Sequence, residues 1–274
     1  MLEKPVSVSS EDLDAIMGAV EAAGVQMFDG TMWMHNPRTA RMRDIIRAPE
    51  FGQVVEVTSS FSFRADDAFF NSDVRMQPGG DPLGCLGDLG WYCIRAALFA
   101  FDFELPEYAA AHPGGTFNVH GVPSYLAFTL IWPRAAGARH PRRATITTGF
   151  DIPLTFTLDV KGTQQTLSVR DLVLPRSETE SVFSSTRAHG LSDFQTPDIT
   201  VTEEHVVPTP KSQEACMWEA FAGCVRAVRN EGRQPDRHWH AVARATQQVV
   251  LAVAASARQG CAPVAVANLS PARL

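Results

Sequence analysis

The sequence has no closely spaced cysteine pair, no long apolar run and no excess of positive charge. Five cysteines are scattered over 274 residues, and an odd, sparse set of this kind indicates reduced thiols rather than a disulfide framework. No run of about 18 apolar residues could form a membrane-spanning helix, and the segment 1–5 has no signal-peptide core. The net charge of −6 offers no basic field to nucleic acid. We therefore expect an intracellular, cytoplasmic globular protein with neither a membrane nor a nucleic-acid partner.

Several catalytic motifs are also missing. No Gly-x-Ser-x-Gly, H-E-x-x-H or P-loop motif occurs. His238 and His240 lack a nearby third ligand, so we expect no metal site. Cys216 and Cys224 lie eight residues apart on a predicted helix, where we expect small buried hydrophobic residues. No strand leads into a G-x-G-x-x-G turn, because the glycines of 79–84 have a different spacing. The sequence therefore shows no dinucleotide-binding fingerprint.

The first 30 residues predict one helix and one short strand. Ser9 and Asp12 have a spacing like that of a capping box, and Gly24 ends the helix. The segment 25–28 predicts a buried strand. A helix followed at once by a strand is typical of the end of a doubly wound domain, so we expect 1–30 to be a remnant of a dinucleotide-binding domain. Its apolar helix face would then be partly bare; that face comprises Leu13, Ile16, Met17 and Val20.

The remainder, 31–274, predicts an α+β domain. Apolar and polar residues alternate along 55–63, which is typical of a strand with one buried face. Further strands are predicted at 125–132, 156–160, 167–169 and 200–207. Helices are predicted at 37–48, 87–101, 218–228 and 242–253, and 134–143 is predicted to be a solvated loop. These elements favour a largely antiparallel open sheet with helices packed on one face.

Four short motifs occur in the order found in one known family. They are Glu3-Lys4-Pro5, the segment from Phe28 to Arg38, Asp88-Leu89-Gly90-Trp91-Tyr92, and the closing run 256–260. Together they resemble the Gfo/Idh/MocA oxidoreductases, and in particular the subgroup related to dihydrodiol and D-xylose dehydrogenases. The resemblance implies a C-terminal substrate and dimerisation domain whose Rossmann domain is largely missing. In the family, that domain begins roughly a hundred residues before the Glu-Lys-Pro motif.

The resemblance also implies cofactor and catalytic roles. Glu3, Lys4 and Pro5 would contact NAD or NADP, although this chain lacks the fingerprint that holds the dinucleotide in the family. Lys4 and Tyr92 would move the hydroxyl proton of the substrate. A phenol with a pKa near 10 needs a nearby cation to act at neutral pH, and Lys4 could supply it. Asp88, four residues before Tyr92, would lie on the same helix face and either hold Lys4 or accept hydrogen bonds from substrate hydroxyls.

Three further residues are candidates for substrate binding. Trp33 would stack on a sugar or diol ring, His35 lies beside it, and Arg38 could bind a polar group through two hydrogen bonds. Structural alternatives stay open for the whole set. Lys4 could be a solvated terminal lysine and Asp88 a helix cap. Tyr92 and Trp33 could belong to the core, and Arg38 to the surface.

The leading functional hypothesis is an NAD(P)-dependent dehydrogenase acting on a sugar, polyol or cyclic diol, present here as its substrate-binding and catalytic half. By family likeness, it would form a homodimer through the polar face of the sheet. The alternative is a non-catalytic sheet-based module for dimerisation or regulation that lacks a cofactor domain. A third possibility is that a partner chain supplies the dinucleotide domain. Cofactor binding distinguishes the first hypothesis from the second.

Overall fold

The computed structural model describes residues 1–134, 137, 141–187 and 201–266. Within these ranges the chain forms six α-helices and ten β-strands. The helices are α1 Ser10–Ala23, α2 Pro37–Arg47, α3 Asp67–Ser72, α4 Trp91–Ala100, α5 Gln213–Glu231 and α6 Arg237–Arg258. The strands are β1 Val54–Arg64, β2 Tyr108–Ala111, β3 Thr116–Phe117, β4 Pro123–Trp132, β5 Arg142–Gly149, β6 Asp151–Gly162, β7 Gln165–Val169, β8 Glu180–Arg187, β9 Val201–Pro208 and β10 Val264–Ala265. Short 3₁₀ turns occupy Met32–His35, Pro49–Phe51 and Val74–Met76, and a π-helical turn occupies Leu86–Gly90.

All ten strands belong to one sheet. Its order is β10-β2-β4-β5-β1-β6-β7-β8-β9, and β3 pairs with β4 at one side of this path. Only β1 and β5 run parallel among the described pairs, and every other pair is antiparallel. The structure therefore confirms the α+β class and the largely antiparallel open sheet. The strands predicted from alternation correspond to β1, β6 and β7, and the two further predicted strands correspond to β4 and β9.

One face of the sheet is buried beneath helices. Val57 and Phe61 of β1 are buried, whereas Thr58 between them is exposed. Helix α4 packs on β1, β5 and β6, and α6 packs on β2 and β10. Every residue of α4 is buried, which explains why its sequence is apolar on all sides except at Arg95. Tyr92 on α4 reaches Phe61 with ring centroids 5.7 Å apart, so the sheet supports the helix that carries the candidate site.

The prediction of a loop over 134–143 is wrong at its end. Strand β5 begins at Arg142, and residues 135–136 and 138–140 lie outside the described part. The two arginines are accommodated because each has a carboxylate partner at the edge of the strand. Arg142 pairs with Glu104 at 2.7 Å, and Arg143 pairs with Glu56 at 2.8 Å. Their charge indicated a loop, but they extend a strand whose interior positions are apolar.

The predicted N-terminal helix is confirmed. The hydroxyl of Ser9 accepts a hydrogen bond from the backbone N–H of Asp12 at 3.0 Å, and Gly24 ends α1 with a φ of 60°. The prediction that the apolar face of α1 would be partly exposed to solvent is wrong for Leu13 and Met17. Leu13 and Met17 are each 2% exposed, because α1 packs against α6. The C-terminal helix thus covers the surface that we expected to be left open.

The predicted strand at 25–28 does not form. One parallel bridge joins Leu2 to Asp29, with Leu2 N–H donating to Phe28 O at 2.9 Å and Gly30 N–H donating to Leu2 O at 3.1 Å. A strand needs a partner along its length, and residue 2 provides one at a single point. This bridge places the segment that carries Lys4 beside residues 28–30.

The cysteines of the chain are free. Cys85 and Cys93 are fully buried, and burial raises the pKa of each thiol to about 12, so they pack as neutral small groups. Cys216 and Cys224 on α5 are half-buried, less than predicted. No helix in the described ranges is long and apolar enough to cross a bilayer.

Candidate active site

Lys4 and Asp88 form a partly buried ion pair. The Lys4 Nζ lies 2.6 Å from Asp88 Oδ1 and also donates to the Asp88 backbone oxygen at 2.8 Å. Their side chains are 12% and 13% exposed. A glycine makes this approach possible: a Cβ on Gly87 would lie 2.7 Å from Leu83 Cβ and 3.2 Å from Pro5 Cγ. The Lys4–Pro5 peptide, which is cis, therefore packs directly on the turn that carries Asp88.

Asp88 and Tyr92 come from consecutive helical segments. Asp88 lies in the π-helical turn, and Tyr92 lies in the first turn of α4. Turns of this kind often occur at functional sites, because they change the direction of one side chain relative to the next turn. The Lys4 Nζ lies 4.8 Å from the centroid of the Tyr92 ring, within the range of a cation–π contact. The structure thus brings together the three residues singled out by the two motifs.

The electrostatic setting of Tyr92 differs from the expectation. Burial raises the pKa of the phenol well above its ordinary value of 10, and the carboxylates of Asp88 and Glu3 raise it further. Lys4 is close, as expected, but its ammonium is held by Asp88 and lies over the ring face. Tyr92 is therefore protonated at neutral pH. Such a group is suited to donate a hydrogen bond or a proton to a substrate oxygen.

Sequence reasoning missed Arg75 and Asp73. Arg75 Nε lies 2.9 Å from Asp88 Oδ2, and its Nη1 lies 3.2 Å from Asp73 Oδ1. Asp81 is also near, and burial raises the pKa of its carboxyl group. None of the three belongs to a motif or a periodic pattern. Arg75 stands 13 residues before Asp88, and only the path of the intervening loop brings them together.

Sequence reasoning also missed a buried cluster around Arg95, which connects the Lys4 segment to α4. Arg95 Nη2 lies 2.8 Å from Asp29 Oδ2, and Arg95 Nε donates to the hydroxyl of Thr246 at 2.6 Å. Both ionic side chains are essentially inaccessible to solvent. Asp29 is bridged to Leu2, and Arg95 lies one turn beyond Tyr92. The buried pair therefore ties the Lys4 segment to the helix that carries Tyr92.

Glu3 and Pro5 flank Lys4 in different environments. Glu3 is exposed, and its carboxylate lies against the backbone of Gly30, where a Cβ would be 2.9 Å from Glu3 Oε2. Pro5 packs on Gly87. Their predicted contact with a dinucleotide remains a prediction.

The structure contradicts the assignment of Trp33 to substrate binding. Its side chain is 1% exposed and packs edge-to-face on Phe99, with centroids 5.7 Å apart. The Thr39 hydroxyl donates to its backbone oxygen at 2.6 Å. An indole enclosed in this way cannot offer a face to a sugar ring. Trp33 is a core residue.

The assignment of Arg38 to substrate binding is also wrong. The residue is 1% exposed, and its guanidinium is surrounded by acceptors from the protein. Nη1 donates to Asp171 Oδ1 at 2.5 Å and to Val182 O at 3.0 Å, and Nη2 donates to the backbone oxygens of Asp171 and Leu172. Arg38 therefore fastens α2 to the β7–β8 connection and to β8.

His35 lies in an aromatic stack. Its ring is 5.6 Å from that of Phe28 and 4.4 Å from that of Trp239, with interplanar angles of 19° and 26°. Burial lowers the pKa of His35 to about 4, so the ring is neutral at ordinary pH. No described contact joins His35 to Lys4, Asp88 or Tyr92.

Two other features lie apart from the Lys4–Asp88–Tyr92 cluster. A cavity of about 760 Å³ is lined by residues of 174–181 and 208–214 together with Asn36, and it includes none of the three. His238 and His240 lie in the first turn of α6, where His238 packs edge-on against Trp239. Within the described ranges, no group of three or more His, Cys, Asp or Glu side chains could hold a metal ion.

Comparison with known sequences finds a family that part of this chain resembles. Residues 39–168 match the family model of the Gfo/Idh/MocA C-terminal domain. A D-xylose 1-dehydrogenase (NADP(+)) of Haloferax volcanii is 31% identical over 158 residues, which cover 57% of this chain and 44% of that protein. An uncharacterised oxidoreductase, ORF334, of Rhizobium meliloti is 25% identical over 172 residues, covering 62% and 48% respectively. These matches thus span less than half the length of each relative.

Solved structures show the same fold. An aldose-aldose oxidoreductase from Caulobacter crescentus, complexed with glycerol, superposes with a TM-score of 0.75 at 19% identity, covering 96% of this chain and 70% of that one. The 3-ketoreductase KijD10 from Actinomadura kijaniata, in complex with NADP and TDP-benzene, gives a TM-score of 0.71 at 21% identity, covering 94% and 69%. The family model, the relatives and the fold agree: residues 39–168 are similar to the C-terminal domain of the Gfo/Idh/MocA oxidoreductases, and the chain shares the fold of solved oxidoreductases.

Proposed function

We propose that this chain is the substrate-binding and catalytic part of an NAD(P)-dependent oxidoreductase acting on a sugar, polyol or cyclic diol. The observation that carries the proposal is the placement of the Lys4 ammonium on Asp88 and over the Tyr92 ring. The Haloferax volcanii relative is a D-xylose dehydrogenase that uses NADP, which supports both the substrate class and the cofactor.

The proposed chemistry uses the protonated phenol of Tyr92. In the direction of reduction, Tyr92 donates its proton to the carbonyl oxygen of the substrate, and the resulting phenolate lies beside the Lys4 cation. In the direction of oxidation, the same proton returns to Tyr92. A bound nicotinamide supplies or accepts the hydride. Lys4 uses two of its three N–H donors on Asp88, and the third is available to orient a substrate or ribose oxygen.

The domain roles follow the same proposal. Residues 1–30 belong with a dinucleotide-binding unit, and 31–274 form the substrate and dimerisation domain. Glu3, Lys4 and Pro5 meet the nicotinamide end of NAD or NADP. Most other contacts to the cofactor come from outside these residues, because the sequence holds no Gly-rich fingerprint.

We further propose that a second copy pairs with the polar face of the sheet. This face carries Thr58, Thr145 and Thr157 in neighbouring strands, with Glu56 bound to both Arg143 and Lys161 at its edge. Interspersed hydroxyls and paired charges suit a polar subunit interface. Sedimentation of the purified protein tests this proposal. A dimer that dissociates on Thr145→Lys supports it, and a monomeric wild-type protein contradicts it.

The experiment for the activity follows reduced nicotinamide in the natural protein that contains this chain. NAD and NADP are offered with D-xylose, other aldoses, polyols and cyclic diols. We expect turnover with at least one substrate and a loss of about 10²–10⁴-fold in Tyr92→Phe. Tyr108→Phe serves as the matched control, because Tyr108 is 44% exposed on an edge-side strand. Absence of both turnover and any cofactor-dependent change in tryptophan fluorescence would instead support a non-catalytic dimerisation module, the function favoured by the missing fingerprint.

A further inference from the structure

The carboxylate of Asp88 is shared between two cations. Lys4 Nζ lies 2.6 Å from Oδ1, and Arg75 Nε lies 2.9 Å from Oδ2. The Asp88 side chain is only 13% exposed, so solvent screens these contacts less than those of a surface pair. Each oxygen therefore has its own partner, and the rotation of the carboxylate is determined by both.

Arg75 is itself held in place. The Asp73 carboxylate accepts a hydrogen bond from the Arg75 backbone N–H at 2.9 Å and another from its Nη1 at 3.2 Å. The side chain is 41% exposed, and its Nη2 has no partner among the described residues. The Nε and Nη1 groups of the guanidinium are thus committed to Asp88 and Asp73, respectively. The result is a line of alternating charges that runs from Asp73 through Arg75 and Asp88 to Lys4.

We propose that Arg75 is a positioning residue of this site. By occupying Oδ2, it fixes the Asp88 carboxylate so that Oδ1 holds the Lys4 ammonium over the Tyr92 ring. Arg75 acts through Asp88 and does not contact the reacting atoms. This inference rests on the proposed oxidoreductase function, because the position of Lys4 matters to turnover only if Lys4 and Tyr92 carry the reaction.

The proposal has consequences for Lys4 and for Tyr92. Without Arg75, Oδ2 loses its cation, the carboxylate is free to rotate, and the Lys4 ammonium spends less time over the ring. Arg75 also lowers the pKa of Tyr92, so its removal raises that pKa further. Arg75→Lys restores part of the effect because a lysine ammonium can pair with one carboxylate oxygen, although it lacks the planar fork of arginine. Arg75→Met supplies no cation.

The first test observes Lys4 directly by NMR of isotope-labelled lysine side chains. The chain has three lysines, Lys4, Lys161 and Lys211, and the Lys4 signal is identified by its loss in Lys4→Arg. Arg47→Met is the matched control, because Arg47 pairs with Asp102 on the surface and both side chains are mostly exposed. We expect Arg75→Met to shift the Lys4 signal and to accelerate its proton exchange, and we expect Arg75→Lys to restore it in part. A Lys4 signal that is the same in Arg75→Met and Arg47→Met overturns the proposal.

The second test measures turnover in the natural protein. We expect kcat to fall about tenfold in Arg75→Met with KM little changed, since a tenfold change corresponds to one weakened interaction in the transition state. The two tests separate the two proposals. If Lys4 responds to Arg75→Met but the wild-type protein turns over no substrate, the positioning contact is established and the oxidoreductase function fails. If the wild type is active and Arg75→Met matches Arg47→Met in both tests, the function stands and the positioning role is wrong.

Discussion

Two ion pairs in this molecule, Lys4–Asp88 and Arg38–Asp171, have similar chemistry and different surroundings. The Lys4 and Asp88 side chains are 12% and 13% exposed. One Lys4 N–H has no hydrogen-bond partner among the described residues, and the Arg75 side chain, which pairs with the other Asp88 oxygen, is 41% exposed. The Arg38 and Asp171 side chains are 2% and 10% exposed, and the described bonds of Arg38 go to one carboxylate and three backbone oxygens. We call Lys4–Asp88 the open pair and Arg38–Asp171 the closed pair. An open pair can exchange a partner for a substrate, whereas a closed pair can only stabilise the fold.

The largest expected effect is on stability, at the closed pair. Arg38→Met leaves Asp171 as an uncompensated charge and leaves the oxygens of Val182 and Leu172 without their donor. Breaking one side of a buried pair costs about 3–5 kcal/mol, so we expect a loss of this size in the free energy of unfolding, measured by urea denaturation. A double replacement, Arg38→Met with Asp171→Leu, should recover part of it. If Arg38→Met lowers the free energy of unfolding no more than Arg47→Met does, the Arg38–Asp171 pair does not stabilise the fold as proposed.

The next effect concerns activity at the open pair. Asp88→Asn keeps the shape of the side chain but removes the charge that holds Lys4 and Arg75. We expect kcat to fall about a hundredfold, equivalent to roughly 2.7 kcal/mol. We also expect the pKa of Tyr92 to fall, because Asp88 is one cause of its rise. Steady-state kinetics and an NMR titration of labelled tyrosine rings measure the two effects, with Asp102→Asn as the control. An unchanged kcat in Asp88→Asn would show that the Asp88 carboxylate plays no part in the reaction.

A third effect concerns the dependence of stability on pH. The pKa of His35 is about 4 in the folded protein, below the 6.5 of an unfolded chain. The unfolded state therefore takes up a proton first, and stability falls as the pH drops from about 6.5 to about 4. His35→Phe keeps a ring against Trp239 and should make stability depend less steeply on pH. Part of the dependence should remain, because burial also lowers the pKa values of His238 and His240. His120→Gln, at an exposed position, is the matched control. An equal slope in His35→Phe and wild type would contradict the assignment.

The sheet was predictable from the sequence where alternation is clear, as in β1, β4 and β6. Strand β5 was not, because its first residues, Arg142 and Arg143, continue a basic, Pro- and Gly-containing run and find their partners only in the folded sheet. Strand β8 carries serines at both buried and half-buried positions, so no apolar period marks it. The segment 25–28 has the composition of a strand but lacks a partner. Pairing between distant segments, rather than local pattern, decided these cases.

The same limit applies to the site. Lys4, Asp88 and Tyr92 were singled out as candidates because they belong to short motifs that occur in order. Arg75 and Asp73 were missed because the contact with Asp88 depends on the path of a loop without periodicity. Arg38 was assigned to the substrate because a sequence reveals a charge but not the acceptors around it. Asp171, which neutralises it, lies 133 residues away.

The central claim is that the open pair carries the reaction and the closed pair does not. The most direct measurement is the turnover of Lys4→Met in the natural protein, beside the control Lys211→Met, whose side chain is 54% exposed on the surface. We predict that Lys4→Met lowers kcat by about 10²–10⁴-fold while the free energy of unfolding changes by less than in Arg38→Met, and that Lys211→Met behaves as wild type. Equal turnover in Lys4→Met and Lys211→Met would contradict the account.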